Sequence, residues 1–232
     1  MNQVINEKLI NRNKKIGNIT SILGIAILIA GLILNFQPTT VNTILSFTAL
    51  IVGFVVAQIS TSYVNRFGRS PRMDEVFGEN LSKLNNDYTF YVYSSPIPML
   101  LVGSSGLWIP IPVSASGEIY FDKKWKQRGG SFLFKFFGQE NIGKPTIETV
   151  NNEKVIREFI SQHLDESEMP PINAVLVSMN PKAMIGDVEN APLPIVKPDG
   201  LRRHIRRVDR KAETEISPEI LAKINAALAQ GK

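Results

Sequence analysis

A chain of 232 residues has room for one anchor and one domain of ordinary size. Its complete lack of cysteine excludes a disulfide framework and any thiolate metal site. The formal charge of +5 suggests a polyanion partner only until it is located, because residues 73–232 hold 19 basic and 20 acidic groups. The excess sits at Lys8, Arg12, Lys14 and Lys15 against Glu7, and at Arg66, Arg69 and Arg72. A broad polyanion-binding surface does not fit that distribution.

Residues 1–15 read as a basic cytoplasmic N-terminus. Residues 16–35 and 41–64 carry no charge, and each reaches the roughly 20 apolar residues that a helix needs to cross a bilayer. Lipid offers no partner for backbone N–H and C=O groups, so both stretches are expected to be helical. The connector, Phe36 to Thr40, is short and uncharged, which makes 16–64 a two-helix transmembrane hairpin. Basic residues flank its outer ends and none lies in the connector, so both termini are expected in the cytoplasm and the chain at the cell membrane. A cleaved signal peptide is the alternative for the first stretch, but its apolar core is too long. Small residues at Ala49, Gly53 and Ala57, and glycines at 17, 24 and 31, let helices approach closely. They serve packing within the hairpin or, alternatively, a homo-oligomer.

A basic juxtamembrane linker, 65–72, leads to the soluble part. Ser70-Pro71 starts a helix through Leu84. Four strands follow over 88–93, 99–103, 107–113 and 118–122, joined by short turns into a meander. Lys123–Gly130 reads as a basic loop around Trp125, and 131–137 (SFLFKFF) as a short apolar stretch. Pro145 opens a helix to about Leu164, with Val150, Val155, Ile156, Phe159 and Ile160 on its buried face. The apolar run Ile172–Met179 is typical of a strand covered on both faces. Ile195-Val196 adds a short strand, Leu201–Lys211 a basic helix, and Ser217-Pro218-Glu219 opens the last helix. The fold class is α/β (α+β), with a mixed sheet flanked by helices over 73–200 and helical segments over 201–232.

Four features carry a family resemblance. A helix holding Gly78-Glu79 precedes the sheet. A strand-turn-strand reads L-L-V-G-S-S-G-L-W-I. A turn ending at Gly117 leads to a strand and Trp125, and a G-K-P-T-I-E helix start precedes a long helix and an apolar strand. Together these resemble the nuclease-related domain (NERD) of the restriction-endonuclease-like PD-(D/E)xK group, over about residues 70–207. The resemblance implies an Asp and a Glu-x-Lys on the strand pair, holding a divalent cation against the phosphate. Those positions fall here on Pro98 or Met99, on Ile111 and on Val113, and only Glu79 matches an acidic residue of the family. The domain is therefore expected to be a catalytically degenerate relative, with no catalytic residue, metal or cofactor. Migration of the ligands to Asp74, Glu75, Glu118 or Asp122 is the enzymatic alternative. Pro110 and Pro112 remove two backbone donors from one side of a strand, which suits an edge or bulged position.

His163 and His204 read as surface residues. Tyr88, Phe90, Tyr91, Tyr93, Trp108, Tyr120 and Phe121 read as core more readily than as a base-stacking platform. Arg202, Arg203, Arg206, Arg207 and Arg210, with Lys211, line one side of a helix whose other side carries Leu201, Ile205 and Val208. That face is solvated, or it contacts anionic lipid or nucleic-acid phosphates. The sequence thus describes a membrane-anchored, cytoplasm-facing binding or scaffolding protein whose protein partner is not named by the residues. The alternatives are a tethered metal-dependent nuclease with displaced ligands, and a sensor of a small ligand or anionic lipid.

Overall fold

A computed structural model describes residues 1–37, 39–130, 140–212 and 215–230, so the apolar stretch 131–137 lies outside the described residues. The chain divides into two compact units, Glu7–Arg72 and Met1–Asn6 with Met73–Lys232. The second unit is therefore interrupted by the first.

The inserted unit is a helical hairpin. Helices α1 (Glu7–Leu34) and α2 (Thr40–Tyr63) are both long and apolar enough to cross a membrane. The Thr39 hydroxyl caps α2 by accepting from the Asn42 N–H at 3.1 Å. Outward apolar residues are widely exposed, with Ile22 at 70% and Ile51 at 67%. The buried residues recur every seventh position, at Gly17, Gly24 and Gly31 on α1 and at Ser46, Gly53 and Ser60 on α2. Two interhelical hydrogen bonds clamp the ends of this seam: Ser46 Oγ donates to Gly31 O at 2.8 Å and Ser60 Oγ to Gly17 O at 3.0 Å. A side chain at Gly31 would meet Ala49 Cβ at 2.8 Å, and one at Gly53 would meet Leu28 at 2.7 Å. Ala57 backbone lies 3.5 Å from the same position on Gly24. Thus Ala49, Gly53 and Ala57 all lie against α1, and a seven-residue period on both helices matches a left-handed crossing.

The interrupted unit is a mixed α/β fold. Its main sheet has six strands in the order β1-β2-β3-β4-β7-β9: β1 (Asn2–Ile5), β2 (Thr89–Val92), β3 (Met99–Gly103), β4 (Gly106–Val113), β7 (Ile172–Ser178) and β9 (Ile195–Val196). The pairs β1-β2, β4-β7 and β7-β9 are parallel, and β2-β3 and β3-β4 antiparallel. A three-stranded sheet joins β5 (Gly117–Asp122) to β6 (Lys124–Arg128) and β8 (Ala183–Ile185). Helices α3 (Met73–Leu81), α4 (Pro145–Ile160), α5 (Pro198–Asp209) and α6 (Pro218–Gln230) complete it.

Several expectations are corrected. Residues 1–15 are not one basic tail, because Asn2–Ile5 is an edge strand of the main sheet and the helix begins at Glu7. The meander stops after three strands, since β5 begins the smaller sheet. The segment around Trp125 is strand β6, with Trp125 packed edge-on against Phe121 at 5.5 Å between ring centres. On α4 the inward residues are Thr149, Ile156 and Ile160, whereas Val150 and Val155 are exposed and Phe159 is half-buried.

Strand β4 is interior, not at an edge, and its prolines explain how it pairs. Leu107 N–H donates to Pro171 O at 2.9 Å, so by period two the donors of Ile109, Ile111 and Val113 also face β7. Positions 110 and 112 then face β3. The β3 ladder reaches only to Trp108, whereas the β7 ladder runs on to Val113. The missing donors lie on the side that β3 has already left. Around this strand the core holds Leu100, Leu101, Leu107, Trp108, Ile109 and Ile111, all nearly inaccessible, each worth about 1.5–3 kcal/mol on burial.

Candidate functional site

The positions that would carry nuclease chemistry are core or scattered. Ile111 and Val113 are buried in β4, Met99 opens β3, and Pro98 is half-buried before it. Glu79 and Glu75 are exposed on α3, whereas Asp74 is buried there. Glu118 and Asp122 lie on β5, where they pair with Arg128 at 3.5 Å and with Lys126 at 2.5 Å. Among the described residues no group of three or more His, Asp or Glu side chains is placed to hold a metal. The aromatic residues are distributed as core: Tyr88, Phe90, Tyr91 and Trp108 are buried, and Tyr93, Tyr120 and Phe121 half-buried.

Helix α5 concentrates positive charge instead. Pro198 occupies its first turn, and its buried positions are Leu201, His204 and Ile205, at i, i+3 and i+4. That stripe packs on α3, β7 and β9. The opposite side carries two ridges at four-residue spacing, Arg202-Arg206-Arg210 and Arg203-Arg207-Lys211, which together line a groove of about 530 Å³. Each like-charged i,i+4 pair costs about 0.2–0.5 kcal/mol in an isolated helix. Arg206 is tied down, donating to Lys83 O at 2.9 Å. Arg202, Arg203, Arg210 and Lys211 form no ion pair among the described residues. Four cations of this helix therefore stand without an ion-pair partner among the described residues.

The C-terminal end of α5 is locked. Asp209 accepts hydrogen bonds from the Tyr88 hydroxyl at one oxygen and from the Ser105 hydroxyl at the other. Burial, reinforced by the adjacent carboxylate, pushes the Tyr88 phenol well above its ordinary range, so it stays a donor. This clamp fixes the helix against β2 and the β3–β4 turn.

The surface position expected for both histidines holds only for His163, which is exposed. His204 is buried, with its ring edge-on to Trp108 at 5.9 Å and an interplanar angle of 84°. Arg207 Nη2 lies 3.2 Å from His204 Nδ1. Arginine is only a donor, so Nδ1 accepts and the proton of the neutral ring sits on Nε2. Burial first, and then the Arg207 charge, hold this imidazole below its ordinary pKa. Sequence reasoning missed the role of His204, because a histidine flanked by arginines reads as solvated. The usable signal was its place on the Leu201-Ile205 stripe.

A second cleft, of about 400 Å³, opens at the start of α5. Val196, Lys197, Gly200, Arg203, His204 and Arg207 line it. Asp199 is the one acidic residue lining it. Lys197 stands at the N-cap, where it supplies no side-chain hydrogen bond to the helix.

No family model, curated protein or solved structure matches the chain.

Proposed function

We propose that the chain is a two-span protein of the cell membrane whose α/β unit faces the cytoplasm and binds anionic phosphate surfaces through α5. The supporting observation is the interruption of one folded unit by the hairpin. Asn6 and Met73 both belong to that unit, so the ends of Glu7–Arg72 emerge on one side of any bilayer the hairpin crosses. Basic residues flank both ends, which by the positive-inside rule makes that side cytoplasmic. Anionic lipid is the favoured partner of the two arginine ridges, at ~1 kcal/mol per basic residue near the surface. The role is binding or scaffolding; the nuclease-like resemblance is carried as ancestry without the metal-binding side chains.

The absence of cysteine gives a clean test. Gln37→Cys in the connector should react with an impermeant maleimide applied to intact cells. Ser161→Cys, exposed on the α/β unit, should react only after permeabilisation. The reverse pattern overturns the sidedness. For the partner, Ala212→Cys bearing a fluorophore, with the full chain in nanodiscs, should be quenched by brominated lipid only when anionic lipid is present. Changing Arg202, Arg210 and Lys211 to Gln should remove that quenching; equal quenching in neutral discs ends the lipid reading, and protection by RNA instead would favour nucleic acid.

A further inference from the structure

We infer that the cleft at the start of α5 is a specific binding site for a phosphomonoester dianion, held by Lys197, Arg203, Arg207 and His204. It deepens the phosphate reading of α5: the cleft shares Arg203 and Arg207 with the basic groove and adds Lys197 and His204.

A helix start normally carries an oxygen-bearing cap and attracts negative charge, because its first N–H groups are unpaired and the helix dipole is positive there. Here the cap position is a lysine that supplies no bond. Two arginines and a histidine from the next two turns line the same cleft. Pro198 carries no N–H and the Gly200 N–H donates to Lys197 O at 2.9 Å, so an anion seated there would be held by the side chains. Arg203 has no ion-pair partner among the described residues, and Arg207 has only the histidine nitrogen.

The balance of charge selects the ligand class. Three cations against Asp199 leave a net charge of +2 around the cleft, which a phosphomonoester matches with ≈ −1.5 to −2 at pH 7 and three acceptor oxygens. A phosphodiester, with one charge, leaves the site half compensated. His204 contributes a neutral donor with a fixed tautomer, since Arg207 occupies its Nδ1. Trp108 packs edge-on against the same ring. Gly200 leaves the floor open: a Cβ there would meet only Val196 Cβ, at 3.7 Å. The missing side chain therefore serves access to the cleft and not the packing of the fold.

The monoester has two sources, a membrane lipid headgroup or a soluble phosphate, and the experiment separates them. The full chain carrying His163→Asn is placed in phosphatidylcholine nanodiscs, and the His204 ring signals are followed by NMR. Inorganic phosphate and glycerol 3-phosphate are titrated against dimethyl phosphate. Parallel discs contain phosphatidic acid or phosphatidylglycerol. Saturable shifts with the soluble monoesters assign a free phosphate. Shifts with phosphatidic acid but not phosphatidylglycerol assign a lipid headgroup. Either result supports the site, and Lys197→Gln with Arg203→Gln should then weaken it about tenfold or more. Gly200→Leu should abolish binding with every charge retained, whereas Lys154→Gln, at an exposed position on α4, should leave it unchanged. Equal response to mono- and diester, survival of binding in Gly200→Leu, or no saturable response in any arm overturns the proposal. The neutral-disc arm does not depend on approach of α5 to a bilayer, so its failure and that of the membrane reading are separately visible.

Discussion

Ser60 donates its hydroxyl to the backbone oxygen of Gly17 at 3.0 Å, across 43 residues of chain. Ser46 makes the same bond to Gly31 at the opposite end of the hairpin. Each serine is thus paired with a glycine whose missing side chain leaves its carbonyl open to the neighbouring helix. The small residues are consumed within the hairpin, which leaves its outward surface to large apolar side chains.

Two kinds of change should loosen this seam to different degrees. Ser60→Ala removes one interhelical hydrogen bond, worth about 0.6–2 kcal/mol in a membrane. Gly31→Val places carbon against Ala49, where the space for a first side-chain atom ends at 2.8 Å, and should cost more. Unfolding of the purified chain by sodium dodecyl sulfate, followed by helical circular dichroism, should rank the wild type above Ser60→Ala and Ser60→Ala above Gly31→Val.

Strand β1 predicts an alternation in proline tolerance. Asn2 and Asn6 donate to Tyr88 O and Val92 O, so the Val4 donor also faces β2 and the Gln3 donor faces away. Val4→Pro should lower the melting temperature of the α/β unit by several degrees, whereas Gln3→Pro should be nearly neutral. Differential scanning fluorimetry in detergent reads both.

The Asp209 clamp should be sensitive to loss of one hydroxyl. Tyr88→Phe leaves a half-satisfied carboxylate, at a cost of about 1.5–3 kcal/mol. Amide exchange should rise along α5, most at its C-terminal turn.

His204 gives a pH dependence with a definite sign. Its folded pKa is depressed, so the unfolded chain binds the proton more readily. Stability is therefore complete above the ordinary histidine pKa of about 6.5 and falls as the pH drops below it toward the folded value. The melting temperature between pH 7.5 and 5.5 should fall more for the wild type than for His204→Gln.

Writing a nuclease signature onto β4 should fail for a physical reason. Ile111→Glu with Val113→Lys puts charge at positions only 2% exposed, which costs several kcal/mol without solvation or partners. The expected outcome is loss of the cooperative melt rather than gain of DNA cleavage.

The two long apolar helices, most strands and the amphipathic basic helix were legible because each has a long period or an uninterrupted apolar run. Leu201 and Ile205 pointed inward as their spacing required. Asn2–Ile5 was not legible: it is four residues beside a basic stretch, and its pairing depends on a partner almost ninety residues away. Lys124–Arg128 was hidden by its charges, since only Trp125 of that strand is buried. Val150 and Val155 misled because two apolar registers compete on α4, and tertiary packing selected the one through Ile156 and Ile160. Ser46 and Ser60 were masked by the more obvious Ala49-Gly53-Ala57 repeat. At the site, the arginines were visible as a charge run, but the cleft needed Lys197 and Gly200, which precede the run and carry no pattern.

The interrupted sheet also constrains how the protein is made. Strand β1 is synthesised first, yet Thr89–Val92, against which it pairs, follows the whole hairpin. The whole hairpin is therefore synthesised before the sheet can be completed. For the same reason, trimming the N-terminus through Arg72 would strip an edge strand from the fold. Isolating the α/β unit with that strand in place calls for excising 7–72 and rejoining Asn6 to Met73 through a flexible bridge.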